Sequence, residues 1–159
     1  MRRETNDVRK ERIVTSDLKQ VISRHRNAVD LTPAGHPDKA ACLNNLGNSF
    51  KVCFECYREL SDLEESILKY KVALDLTLDS HPHKSSYLNN LGNSLKTRFV
   101  CLREQSDLEQ AILRQKDAVD IIPHGHPHKY CYLNNLGNSL KARFDRLGEL
   151  SDIEEAILR

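Results

Sequence analysis

The sequence carries no excess of charge of either sign: 24 Lys and Arg stand against 23 Asp and Glu, a formal net charge of +1 over 159 residues. Proteins that hold nucleic acid by neutralising phosphates show a basic excess or a basic stripe, so that class is not expected here. No apolar run reaches the length of a membrane span, and hydrophobic residues total only 39%. Met1-Arg2-Arg3 is followed by Glu4, Thr5, Asn6 and Asp7 rather than by an apolar stretch, which argues against a secretory signal and makes the cytoplasm the expected compartment. Cysteines number five, an odd count that cannot pair completely within one chain. Cys42, Cys53, Cys56, Cys101 and Cys131 are therefore expected as free thiols in a reducing environment. A Gly-rich phosphate loop, a Ser/His/Asp order and paired carboxylates in a plausible cleft are all missing, so no catalytic residue and no cofactor is expected.

What is present is a repeat. Leu-Asn-Asn-Leu-Gly-Asn-Ser occurs at 43–49, 88–94 and 133–139, and Ser-Asp begins at 16, 61, 106 and 151, so both series step by 45 residues. Units 61–105 and 106–150 share 27 of 45 positions. Residues 1–15 show no convincing copy and read as a non-repeat segment. Residues 16–159 read as an array: a second-type helix over 16–35, full units 36–80 and 81–125, and a truncated unit 126–159 that ends nine residues after its Ser-Asp start. That ending suggests a fragment or an array cut within a helix.

Each unit reads as two helices and leaves no room for strands, which makes the fold class all-α. The first helix is predicted to begin at Pro37, Pro82 and Pro127, since proline suits the first helical position. Its apolar face is Leu43, Leu46, Phe50 and Phe54, then Leu88, Leu91, Leu95 and Phe99, then Leu133, Leu136, Leu140 and Phe144. The second is predicted to begin at capping boxes made by Ser61 with Glu64, Ser106 with Glu109 and Ser151 with Glu154. Leu63, Ile67, Tyr70, Ala73 and Leu74 form its apolar face, with Leu108, Ile112, Ala118 and Val119 one unit later. Gly47, Gly92 and Gly137 fall mid-helix, where glycine costs about 1 kcal/mol relative to alanine. The same cost at one phase of three repeats predicts a tight helix crossing, with Ala28, Ala73 and Ala118 as the facing small residues.

These residues resemble the tetratricopeptide repeat, whose first helix carries Trp-x2-Leu-Gly-x2-Tyr and whose second carries Ala, Phe and Pro marks. Leu43-x2-Leu46-Gly47-x2-Phe50 matches the first mark with Leu in place of Trp. Ala111, Ala118 and Pro123 match the second, as do Ala28 and Pro33, whereas Ser66, Ala73 and Leu78 match in part. The aromatic mark is kept at Tyr70 and lost at His25 and Gln115, and the period of 45 exceeds the family's 34. The His-Pro-x-x-Ala-x-x-Leu-Asn-Asn-Leu stretch is similar to the long-repeat branch that includes kinesin light chains and fungal multi-repeat proteins. The resemblance covers residues 16–159. It implies an α-solenoid, a right-handed superhelix of antiparallel helix pairs, that binds proteins; in that branch such arrays often accompany protease or nucleotide-binding signalling domains.

The asparagines are the candidate binding residues. Asparagine is a poor helix former, yet each first helix carries three. Asn44, Asn48, Lys51 and Glu55 fall on one helical face, repeated by Asn89, Asn93 and Lys96 and by Asn134, Asn138 and Lys141. That face is expected to look toward solvent or a groove. The resemblance implies that first helices line a concave surface and that these positions touch an extended peptide or protein segment, its backbone and its carboxylates. The other reading is that the amides only bridge neighbouring helices, a role expected most of Asn45, Asn90 and Asn135. A clamp for chaperone tails needs basic residues where Asn44, Cys131 and Asn135 stand, so that ligand is not expected. A spacer or oligomerisation arm within a larger signalling protein is the competing function, and the apolar face of Leu133, Leu136, Leu140 and Phe144 is expected to fray or to associate end to end.

Cys53-x2-Cys56 with His81, His83, His124, His126 and His128 invites a metal reading. Pro37 and Cys56, however, are 19 residues apart on one predicted helix, about 28 Å at 1.5 Å per residue, which puts the turns and the thiols at opposite ends. No metal site is expected.

Overall fold

The computed structural model describes the backbone of residues 2–148 and 154 and the side chains of 16–148 and 154. Six helices and no strand occur among the described residues: α1 Arg2–Leu31, α2 Lys39–Tyr57, α3 Leu60–Asp75, α4 Lys84–Leu102, α5 Gln105–Ile121 and α6 Lys129–Leu147. They fall into two compact units, one holding α1 to α3 and the other α4 to α6. The expected helix over 16–35 ends at Leu31 and is the continuation of a helix that already runs through residues 2–15.

In the first unit α2 packs on both α1 and α3. Leu43, Leu46, Phe50 and Phe54 of α2 are buried, as are Leu63, Ile67, Tyr70 and Ala73 of α3, whereas Leu74 of the expected face is only half-buried. Each such Leu, Ile or Phe contributes about 1.5 to 3 kcal/mol relative to exposure. In the second unit Leu88, Leu91, Leu95 and Phe99 of α4, Leu108, Ala111, Ile112, Ala118 and Val119 of α5, and Leu136 and Leu140 of α6 are buried alike. Leu133 and Phe144 are only half-buried.

The helix ends differ from expectation. Pro37, Pro82 and Pro127 stand two residues ahead of α2, α4 and α6, in turns closed by the N–H of Lys39, Lys84 and Lys129 donating to the carbonyls of His36, His81 and His126. In each turn the histidine Nδ1 accepts the backbone N–H two residues on, from Asp38, His83 and His128. The His-Pro motif therefore satisfies helix-start donors from its histidine, and its proline sets a turn. The capping boxes do not mark the second helices. α3 and α5 begin at Leu60 and Gln105, capped by Glu59 and Glu104 without a side-chain bond, and Glu109 instead accepts from Arg143 Nη1 at 2.8 Å. Ser151 lies outside the described residues.

α2, α4 and α6 all end in one left-handed residue whose N–H bonds back to the carbonyl of Phe54, Phe99 or Phe144. Gly148 supplies that conformation freely, but Arg58 and Arg103 adopt it at φ 60° and 61°. Each of these guanidiniums lies over a phenylalanine ring of its own helix, Arg58 at 5.6 Å from Phe54 and Arg103 at 5.9 Å from Phe99, an attraction that offsets part of the backbone strain.

The mid-helix glycines do mark close crossings, against partners other than the expected alanines. A Cβ on Gly47 would lie 2.8 Å from the Tyr70 ring, and one on Gly92 would lie 2.7 Å from Gln115 and 3.1 Å from the Ala111 carbonyl. Ala73 and Ala118 are buried one turn further on. Gly137 has nothing within 4 Å of its Cβ position among the described residues.

Candidate functional site

The first helices place the nine candidate residues in three different environments. On the face expected to look toward solvent or a groove, Asn44 and Asn89 are buried, whereas Asn134 is exposed. Asn89 Oδ1 accepts a hydrogen bond of 3.0 Å from Asn135 Nδ2, an amide bridge from α4 to α6. Bridging was expected of Asn45, Asn90 and Asn135; in the second unit it joins one member of that set to one member of the candidate face.

Asn48 is exposed and its Oδ1 accepts from the Tyr70 hydroxyl at 2.7 Å. Asn93 is half-buried and its Oδ1 accepts from Gln115 Nε2 at 2.9 Å. The residue that crosses the glycine on the second helix thus also grips the amide one residue after that glycine. Asn138 is exposed. Sequence reading missed this coupling, although the signal was the change from Tyr70 to Gln115 at one repeat position: both side chains carry a donor at their tip.

The lysines separate in the same way. Lys51 pairs with Glu55 at 2.8 Å and lies 5.6 Å from the Phe54 ring, and Lys141 pairs with Asp145 at 2.6 Å. The residue four positions after Lys96 is Val100, so this ammonium has no carboxylate on its own helix face. Lys96 is half-buried, and burial pushes its pKa below the usual lysine value.

Ion pairs between helices fix the second unit beside this face. Arg98 of α4 donates twice to Asp107 of α5, Nε at 2.8 Å and Nη2 at 2.5 Å, and Asp107 is buried. At the matching place in the first unit Cys53 stands opposite Asp62. Burial raises the pKa of both groups; Asp62 further raises the thiol, and Glu59 and Glu65 further raise Asp62.

An open groove of about 390 Å³ lies between α1 and α2, lined by Leu18, Val21 and His25 from α1 and by Asn45, Asn48, Ser49 and Val52 from α2. His25 Nδ1 and Ser49 Oγ share a hydrogen bond of 2.6 Å across its floor. Val21 and Val52 are 39% and 41% exposed, so the groove is apolar at its rim and amide-lined on one wall.

All five cysteines are free thiols; Cys53 is buried while Cys56 is exposed. No group of three or more His, Cys, Asp or Glu side chains is placed to hold a metal among the described residues. No helix there is long and apolar enough to cross a membrane. No protein-family model matches the chain, and no curated protein is significantly similar to it.

Proposed function

We propose that the chain is a protein-binding module, an α-solenoid of tetratricopeptide-like helix pairs in right-handed succession that repeat every 45 residues. In this reading it works in the cytoplasm without a catalytic centre or cofactor and holds an extended peptide along its first helices. The observation that carries the proposal is Lys96, a half-buried ammonium that loses hydration without gaining a carboxylate among the described residues. Desolvating a charge costs free energy unless a counter-charge compensates it. A ligand carboxylate supplies that charge, and Asn138 and Lys141, exposed on α6 of the same unit, offer further donors for the ligand backbone.

Fluorescence anisotropy with a panel of labelled, extended, Glu-containing peptides tests this. Lys96→Gln is expected to weaken binding about tenfold, the usual scale for one charge-assisted hydrogen bond, while circular dichroism stays that of the wild type. Absence of binding across the panel, or binding indifferent to Lys96→Gln, would contradict the reading.

A second reading, a structural spacer, is favoured by the engagement of Asn48 and Asn93 with Tyr70 and Gln115. It requires Asn48→Ala and Asn93→Ala to lower the melting temperature and no peptide to bind.

A further inference from the structure

Lys51, Lys96 and Lys141 stand at one repeat position, and two of them hold an acid four residues on. Lys51 pairs with Glu55 at 2.8 Å and Lys141 with Asp145 at 2.6 Å, whereas Val100 follows Lys96. Other half-buried lysines are held as well. Lys69 pairs with Glu65 and Lys84 with Asp79, and Lys39 and Lys129 donate to carbonyls at the ends of α1 and α5. The amine of Lys96 has no such acceptor among the described residues.

The helices around Lys96 leave it that way. α4 contains no acidic residue at all. Asn89 meets Asn135 and the Phe99 ring meets the Arg146 guanidinium at 5.7 Å, so α4 and α6 run side by side in one direction and Ala142 comes level with Lys96. Asp145, the acidic residue of α6, is taken by Lys141. On α5, Asp107, Glu109 and Asp117 hold Arg98, Arg143 and Arg114. An ammonium that is half out of water with no counter-charge gives up its proton more readily than one in an ion pair, and burial does lower the pKa of Lys96. The free amine is the nucleophilic form.

We infer that Lys96 is a modification site, an amine that accepts an acyl group from a small acyl thioester ahead of the paired lysines at its repeat position. After the ammonium has lost a proton to solvent, Nζ attacks the thioester carbonyl carbon. The C–N bond forms, the C–S bond breaks, and the departing thiolate takes up the proton that Nζ sheds as it becomes an amide. Condensation with an aldehyde or ketone instead must expel water, a step that an acid assists, and no carboxyl faces Lys96 among the described residues. The thioester brings its own leaving group. The product is neutral, so acylation removes a charge that is penalised at Lys96 but would break an ion pair at Lys51 or Lys141. Resting on the peptide-binding reading above, this gives that site its regulation: the acylated residue can no longer meet a ligand carboxylate.

The test treats the full chain with the neutral thioester S-acetyl-N-acetylcysteamine at about pH 8, clears cysteine-bound acetyl groups with hydroxylamine, and counts acetylation at each lysine by mass spectrometry of the digested protein. In the folded chain Lys96 is expected to react at least about threefold faster than Lys51 and Lys141, and in urea the three are expected to react alike. Val100→Glu, at an exposed position, restores the missing acid and is expected to slow Lys96 to the rate of Lys51 with unchanged circular dichroism. Glu55→Gln is expected to speed Lys51. Equal or slower reaction of Lys96 in the folded chain, or a Lys96 rate indifferent to Val100→Glu, would overturn the inference. The acetylated chain is then expected to bind Glu-containing peptides about tenfold more weakly, as Lys96→Gln does. Unchanged binding would overturn the regulatory step, whereas a panel that never binds defeats the peptide-binding reading and leaves the reactivity of Lys96 to be decided by the lysine map alone.

Discussion

The Tyr70 phenol is buried against Gly47 and donates to Asn48 Oδ1. Burial pushes its pKa from 10.0 up to about 12, a hydrogen bond with Ser66 pulls the other way, and the charge of Glu55 adds to the rise. Since the folded-state value is the higher one, the neutral phenol's stabilisation is complete below pH 10 and is lost as pH climbs from about 10 to about 12, where the unfolded chain ionises first. The loss amounts to about 2 to 3 kcal/mol. Tyr132 is raised by burial in the same direction, and Lys96, whose pKa is lowered, contributes with the opposite sign. Urea melts of the wild type and Tyr70→Phe isolate the residue, because the other groups cancel in the difference. The gap between the two proteins is expected to be constant from pH 7 to about pH 9.5 and to close toward pH 12; parallel curves throughout would show that the phenol is not the titrating group.

At the scale of helices, Gly47 and Gly137 occupy one repeat position with opposite surroundings among the described residues. Alanine at either site gains about 1 kcal/mol of helix propensity. At 47 the added Cβ meets a Tyr70 ring 2.8 Å away that is held by burial and by its bond to Asn48, so overpacking of about 1 to 3 kcal/mol outweighs the gain. Gly47→Ala is expected to lower the melting temperature and Gly137→Ala to raise it, as differential scanning calorimetry at dilute concentration can establish. The two changes moving together would mean that crossing distance does not govern this position. The contrast also shows what the sequence made legible. Apolar spacing placed the buried faces of α2 to α5, and three glycines in phase announced a crossing, because both are properties of one helix and its period. What they face is a property of two helices, so Tyr70 and Gln115 stand where alanines were expected. The same limit applies at the candidate site: Asn44, Asn48 and Lys51 share a face by spacing alone, but burial of Asn44 and the capture of Asn48 by Tyr70 are decided across helices. Helix starts misled for a local reason, since the His-Pro turn uses a histidine acceptor to do what a capping box does elsewhere.

Across the whole molecule, the division into two compact units means that the consequences of a lesion depend on which core holds it. Arg98 and Asp107 make the sharpest case. The carboxylate is 5% exposed and is held by two charge-assisted bonds, whereas at the matching first-unit place the thiol of Cys53 stands by Asp62. Removing the guanidinium strands a buried anion, and breaking such a pair costs about 2 to 4 kcal/mol where, as here, one partner retains some access to water. Arg98→Ala is therefore expected to destabilise α4 and α5 by that amount and to leave the first unit's own ladder, from Gly47 against Tyr70 to His25 with Ser49, intact. Hydrogen exchange followed by mass spectrometry reads both units in one experiment. Peptides from 84–121 should exchange about 30- to 1,000-fold faster in the variant, as that free-energy loss requires, while protection in 39–75 stays close to that of the wild type. If protection falls equally in both units, they unfold as one cooperative body; if it falls in neither, Asp107 has found another partner and the fork is not what holds α4 to α5.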